Sequence, residues 1–190
     1  MKDEYRAVED LVRFSYANVV WTHKIQEKQA EKYSNRYKLL SVINIGASAM
    51  TTAGIITAIF VDPLGLKIAS AVISFITTAI SAFLSSFNYK DMSAANKSTA
   101  TKLVGMRDDL ITLLVKVKYE KESPDGIMDE YEKLRNDLQK IYEEAPNTSN
   151  KACKKAKIEI ENGNFGIYTD DEIDQLLPKI LRGNQSDIVV

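Results

Sequence analysis

Two long runs without a single Lys, Arg, Asp or Glu, residues 39–61 and 68–89, interrupt a chain that is otherwise densely charged. At about 1.5 Å of rise per residue, either run wound as a helix crosses a hydrocarbon layer roughly 30 Å thick. Residues 62–67 between them, Asp-Pro-Leu-Gly-Leu-Lys, leave no room for a folded element, so the two helices return antiparallel through a turn marked by Pro63 and Gly65. Gly46 and Gly54 in the first run are costly in a water-exposed helix but allow close helix contact in lipid. In the second run Ser70, Ser74, Thr78, Ala82 and Ser86 recur at every fourth residue, a small-residue stripe beside bulky Ile73, Ile76, Ile80 and Phe83. That stripe suits either packing within the hairpin or the lining of a pore between subunits.

The flanking segments carry helical periodicity of the water-soluble kind. Residues 4–38 contain no Pro or Gly and present Val8, Leu11, Val12, Tyr16 and Val19 on one face. Lys24, Lys28, Lys32 and Arg36 follow at every fourth position, which reads as a solvated helix face or as a surface near anionic lipid headgroups. Residues 92–120 predict another long helix, ended at Ser123-Pro124-Asp125-Gly126. A third follows, in which Ile127, Tyr131, Leu134, Leu138 and Ile141 keep a 4-3-4-3 spacing that buries one narrow seam. Three such helices form a bundle or stalk. Pro146-Asn147-Thr148-Ser149-Asn150 reads as a hinge, residues 151–161 as a short basic helix, and Thr169 with Glu172 as a capping box opening a last helix that Pro178 threatens.

Charge and aromatic placement refine the picture. Lys38 and Lys90, with the basic residues beyond them, flank the hairpin, whereas its turn holds only Lys67 opposed by Asp62, so the positive-inside rule puts both termini in the cytoplasm. Tyr37 and Tyr89 stand at the two cytoplasmic borders, where a ring sits among headgroups and its hydroxyl reaches water. Trp21 lies about 27 Å along a helix from Leu39, too far for such a belt, and is expected to anchor helix packing. The predicted fold is all-α, a two-span transmembrane hairpin with extended cytoplasmic helices. Its divisions are 1–38 (amphipathic helix), 39–61 (first span), 62–67 (extracytoplasmic turn), 68–89 (second span), 90–145 (helical hairpin) and 146–190 (docking or assembly segment, or closure of the bundle).

Signatures of catalysis are sparse. His23 and Cys153 are the only histidine and cysteine, which excludes an internal disulfide and argues against a structural zinc site. No phosphate-cradling loop ending in Gly-Lys-Ser/Thr and no Gly-x-Ser-x-Gly turn occurs. No enzyme activity, cofactor or direct nucleic-acid binding is expected. The formal net charge of −1 conceals the segregation of charge away from the hairpin. Two other readings stand beside a membrane hairpin that lines a pore between subunits: a membrane-anchored scaffold without pore activity, and a soluble bundle whose core is the two apolar runs.

The segment Trp21-Thr22-His23-Lys24-Ile25 with Lys28 and Ala30, the hairpin, Asn88-Tyr89, and then residues 95–103 leading through Lys102 to Met106-Arg107-Asp108-Asp109-Leu110 together resemble the SLATT family of two-transmembrane-helix effectors. The resemblance covers roughly residues 10–145. It implies packing roles for the motif residues Trp21, Lys24, Lys28, Lys102 and Arg107. It also implies an effector of bacterial nucleotide-signalling and conflict systems that self-assembles in the inner membrane and permeabilises it after phage infection. The partners implied are membrane lipids, further copies of the chain, and a nucleotide-signalling enzyme or a reverse transcriptase as the trigger.

Overall fold

A computed structural model describes residues 2–61, 64–160, 171, 173–174, 177 and 181–182. The expected loop at 162–166, the Thr169/Glu172 capping box, Pro178 and the first two residues of the turn, Asp62 and Pro63, lie outside the described residues. The fold is all-α: α1 (Lys2–Val61), α2 (Leu64–Ser86), α3 (Tyr89–Lys118), α4 (Pro124–Glu144) and α5 (Asn150–Ile160). Contacts divide the chain into a bundle unit, Met1–Gln29 with Ala95–Val190, and a hairpin unit, Ala30–Ala94.

The bundle unit is held by the apolar faces read from the sequence, except that Leu11, expected on the first helix's face, is exposed. Val12 and Val19 of α1, Leu103, Leu110 and Leu113 of α3, and Ile127 of α4 are fully buried and belong to one core. Fully burying a side chain of this kind contributes about 1.5–3 kcal/mol. The 4-3-4-3 seam of α4 packs on that core: Ile127 and Tyr131 are buried, Leu134, Leu138 and Ile141 partly so. Ser123 caps α4, its Oγ accepting from the Gly126 N–H at 3.3 Å, with Pro124 in the first helical turn, where a missing N–H costs nothing. At the end of α3 the chain reverses through Glu120, which adopts φ 47°. Lys121 N–H bonds to Lys116 O and Glu120 N–H to Val117 O, both at 3.1 Å, the two bonds of a Schellman cap with Glu120 where glycine is usual.

Within the hairpin unit, the two antiparallel helices meet along a seam of their own. On α1 the less exposed positions are Leu40, Asn44, Ala47, Thr51, Gly54 and Ala58, with Ser41 beside the first of them; on α2 they are Leu66, Ser70, Ile73, Thr77, Ile80 and Leu84. Both series step 4-3-4-3-4, the spacing that keeps one narrow face turned to a partner helix. Gly54 is the point of closest approach, since a Cβ built there overlaps Ser70 Oγ. The α1 helix runs unbroken through residue 39, whereas α2 ends at Ser86 and a new helix starts at Tyr89. Asn88 O accepts from the N–H groups of Asp91 and Met92, and its side-chain amide bonds to the Asp91 carboxylate.

Candidate functional site

Outside its seam the hairpin is wrapped in exposed apolar side chains. Val42, Ile45, Ile59, Phe60 and Phe75 each show about 70–80% of their surface, and no described Asp, Glu, Lys or Arg lies between Leu39 and Val61 or between Ile68 and Tyr89. A folded monomer in water does not expose contiguous apolar surface on this scale. These helices also close their backbone hydrogen bonds internally, as lipid demands. Hydroxyls are treated the same way: Ser48, Thr52, Thr57 and Thr78 each donate to the carbonyl four residues back at 2.8–3.0 Å. The soluble-bundle reading, which needs both runs buried, does not hold. Two long apolar helices form a transmembrane hairpin.

The small-residue stripe does not lie on one face. A step of four residues turns a helix by about 400°, so each successive member moves roughly 40° round the axis. Ser70 therefore sits in the seam, 7% exposed, while Ser74, Thr78, Ala82 and Ser86 are exposed. Gly54 faces Ser70, but Gly46 is exposed with nothing within 4 Å of a Cβ built there. Sequence reasoning missed Asn44, which lies in the seam and accepts a 3.1 Å hydrogen bond from Ser81 Oγ. The 4-3 spacing through positions 40–58 is the signal that picks it out.

The border residues divide. Tyr37 is 38% exposed, and Lys38 and Lys90 are exposed. Tyr89 is only 7% exposed, its ring 5.9 Å from Tyr33, 6.0 Å from Phe83 and 6.1 Å from Phe87. The helix break at Asn88 turns Tyr89 into an aromatic cluster rather than outward.

The five motif residues for which the resemblance implies packing roles, Trp21, Lys24, Lys28, Lys102 and Arg107, all lie in the bundle unit, and most are ion-paired there. Lys24 Nζ reaches Glu27 and Glu159, each at 3.0 Å, and Lys28 Nζ reaches the other Glu159 oxygen at 2.5 Å. Lys28 is 7% exposed, so the first half of the basic stripe is neither a free solvated face nor a headgroup surface. It receives α5. The contacts with Glu27 and then Glu159 raise the Lys24 pKa, and those with Lys28 and then Lys24 hold the Glu159 carboxyl below its ordinary value. Lys102 pairs with Glu144 at 2.6 Å and Arg107 with the adjacent Asp108 at 2.9 Å, while Trp21 is half-buried.

Below α5 the expected hinge is pinned. Gln29 Oε1 accepts from both the Ser149 N–H (3.1 Å) and its Oγ (2.8 Å), and Gln26 Nε2 donates to Pro146 O at 3.2 Å. Further along, Arg13, 5% exposed, pairs with Asp174 and donates to Leu181 O at 3.1 Å, while Ile173, Leu177 and Leu181 join the core. The described residues of the C-terminal segment thus close the bundle. Burial lowers the His23 pKa, with Glu27 opposing. No group of three or more His, Cys, Asp or Glu that could hold a metal ion occurs among the described residues.

With this geometry in hand, comparison with known proteins gives one result: the family model described as "SMODS and SLOG-associating 2TM effector domain family 4" matches residues 8–172. No curated protein and no solved structure matches the chain.

Proposed function

The chain belongs to the fourth SLATT family, a non-catalytic membrane-associated effector domain, and from that premise we propose that it is the membrane effector of a bacterial anti-phage or conflict system. When a partner or a nucleotide signal activates it, copies of the chain assemble and permeabilise the inner membrane. A nucleotide-signalling enzyme or a reverse transcriptase supplies the trigger. Residues 1–38 and 90–190 lie in the cytoplasm, residues 39–61 and 68–89 span the bilayer, and residues 62–67 turn on the far side.

One observation supports this reading over a passive anchor. Beyond the hairpin's own seam, Ser74 and Thr78 are exposed among apolar neighbours, and although the Thr78 hydroxyl donates to Ser74 O at 2.9 Å, a hydroxyl oxygen bonded in this way can still accept a hydrogen bond from water. An anchor needs only apolar surface there, whereas hydroxyls facing outward can border water once several hairpins enclose it. A single hairpin encloses nothing, so permeation requires assembly.

Ion flux from liposomes containing the purified protein tests the reading. Flux is expected from the assembled, activated protein, and Ser74→Leu with Thr78→Leu should suppress it. Liposomes that stay tight under every assembled condition, or flux indifferent to the two leucines, contradict it.

A further inference from the structure

The hairpin has two unlike flanks. Each residue turns a helix by about 100°, and the seam positions fix where the remaining side chains lie. On one side of the seam stand Ser41 and Ser48 of α1, followed towards the turn by Ile55 and Ile59, with Ser74, Ser81 and Ser85 of α2; on the other stand Ile43 and Met50, followed by Thr57, with Ile76 and Phe83, so the contrast is sharpest around Asn44. Asn44 lies at the polar edge of the seam, where Ser81 meets it. The same flank opens towards the turn into a crevice of about 670 Å³ between Ile55 and Ile59 on one helix and Ala71 and Ser74 on the other, with Lys67 at its end.

Asn44 is the costly member of this flank. A serine or threonine hydroxyl in lipid satisfies itself on its own helix, as Ser48 does on Asn44 O at 2.8 Å. A carboxamide has an acceptor and two donor hydrogens. Ser81 uses one end, and the Asn44 Nδ2 donors meet no acceptor among the described residues. Turning the amide over only exchanges which end is left. With the first span starting at Leu39, as the proposed topology has it, the side chain sits five residues and about 8 Å inside the hydrocarbon border. A polar group left open at that depth needs a partner that the hairpin itself does not contain.

A second copy of this chain meets that need. All copies insert by the same rule, so every Asn44 lies at one depth and every polar flank points the same way about its own hairpin. Its unused donors are matched by acceptors of the same flank in a neighbour: the Asn44 Oδ1 and the Ser48 and Ser81 hydroxyl oxygens. The geometry points to the Asn44 flank as the face on which copies of the chain pack together, the polar flanks converging on a shared axis and Asn44 hydrogen-bonded between subunits. This rests on the reading of the chain as a self-assembling effector and assigns its interface.

Cross-linking in the membrane tests the assignment without requiring a pore. In a full-length Cys153→Ser background, Ser48→Cys and Met50→Cys place single thiols at nearly equal depth on opposite flanks of α1. Oxidation should link Ser48→Cys chains into dimers and leave Met50→Cys chains largely monomeric. Adding Asn44→Leu should lower the Ser48→Cys yield by about 3- to 30-fold, the range that one or two lost interhelical hydrogen bonds give in lipid; Asn44→Gln should restore it. Equal yields on the two flanks, or a yield that Asn44→Leu leaves unchanged, overturn the assignment. Cross-links without liposome flux reject pore formation and keep the interface, whereas flux without polar-flank cross-links rejects the interface alone.

Discussion

Gly54 carries the hairpin's closest approach, and replacing it with alanine isolates that contact. A Cβ at position 54 overlaps Ser70 Oγ, while the next neighbours, Ser70 Cβ at 3.5 Å and Leu66 Cδ1 at 3.9 Å, are at ordinary contact distance. Forcing one extra methyl into a packed seam costs about 1–3 kcal/mol. The alanine returns about 1 kcal/mol through helix propensity. Gly54→Ala should therefore destabilise the hairpin by about 1 kcal/mol. Ser70→Ala removes the one atom in the way, so in that background the same change should stabilise by about 1 kcal/mol. The coupling between the sites is then about 2 kcal/mol, well above the scatter between independent positions. Dyes on Thr57→Cys and Ile68→Cys, two exposed positions, in the Cys153→Ser chain would report helix separation by energy transfer during titration with a denaturing detergent. If Gly54→Ala is equally harmful with and without the Ser70 hydroxyl, the seam does not close at this pair and the register of the hairpin is wrong.

Other outcomes follow from the bundle unit, where Trp21, the only tryptophan, gives a local fluorescence signal. Leu103 is fully buried, so Leu103→Ala should cost about 3 kcal/mol and lower the melting midpoint by on the order of 10 °C. Glu120 at φ 47° occupies a left-handed cap position, and Glu120→Gly should raise stability by about 1 kcal/mol in the same melt, where most exposed substitutions are neutral. Burial holds the His23 pKa below its ordinary value. The unfolded chain therefore binds more protons between the two values, and the contribution of His23 to bundle stability is full above about pH 6.5 and is lost as pH falls through the lowered value. His23→Gln should flatten that slope in melts between pH 7.5 and 5.5.

Much of this architecture is legible in the chain because lipid and water leave opposite marks on composition. The absence of charge through 39–61 and 68–89 locates the hairpin, and apolar periodicity locates the bundle core down to Ile127 and Tyr131. What escapes is the rotation of the helices. A stripe at every fourth residue looks continuous in one dimension, yet it winds about the helix from buried Ser70 to exposed Ser86. Hairpin contacts follow the 4-3 rhythm through Asn44, Ala47, Thr51 and Gly54, which a search for small residues passes over. Lys24 and Lys28 are ambiguous in the sequence for a related reason. Their partner Glu159 stands far away in sequence, and local charge patterning cannot reveal a carboxylate delivered by another helix. The break at Asn88 likewise depends on its backbone carbonyl capping α3, and it decides that Tyr89 turns into an aromatic cluster.

Partition of the full-length chain after an alkaline carbonate wash decides most directly whether the bare flanks of the hairpin face acyl chains. Retention in the pellet, with release only by detergent, is the expected result. A monodisperse protein in the supernatant, soluble without detergent, would contradict the account at its base.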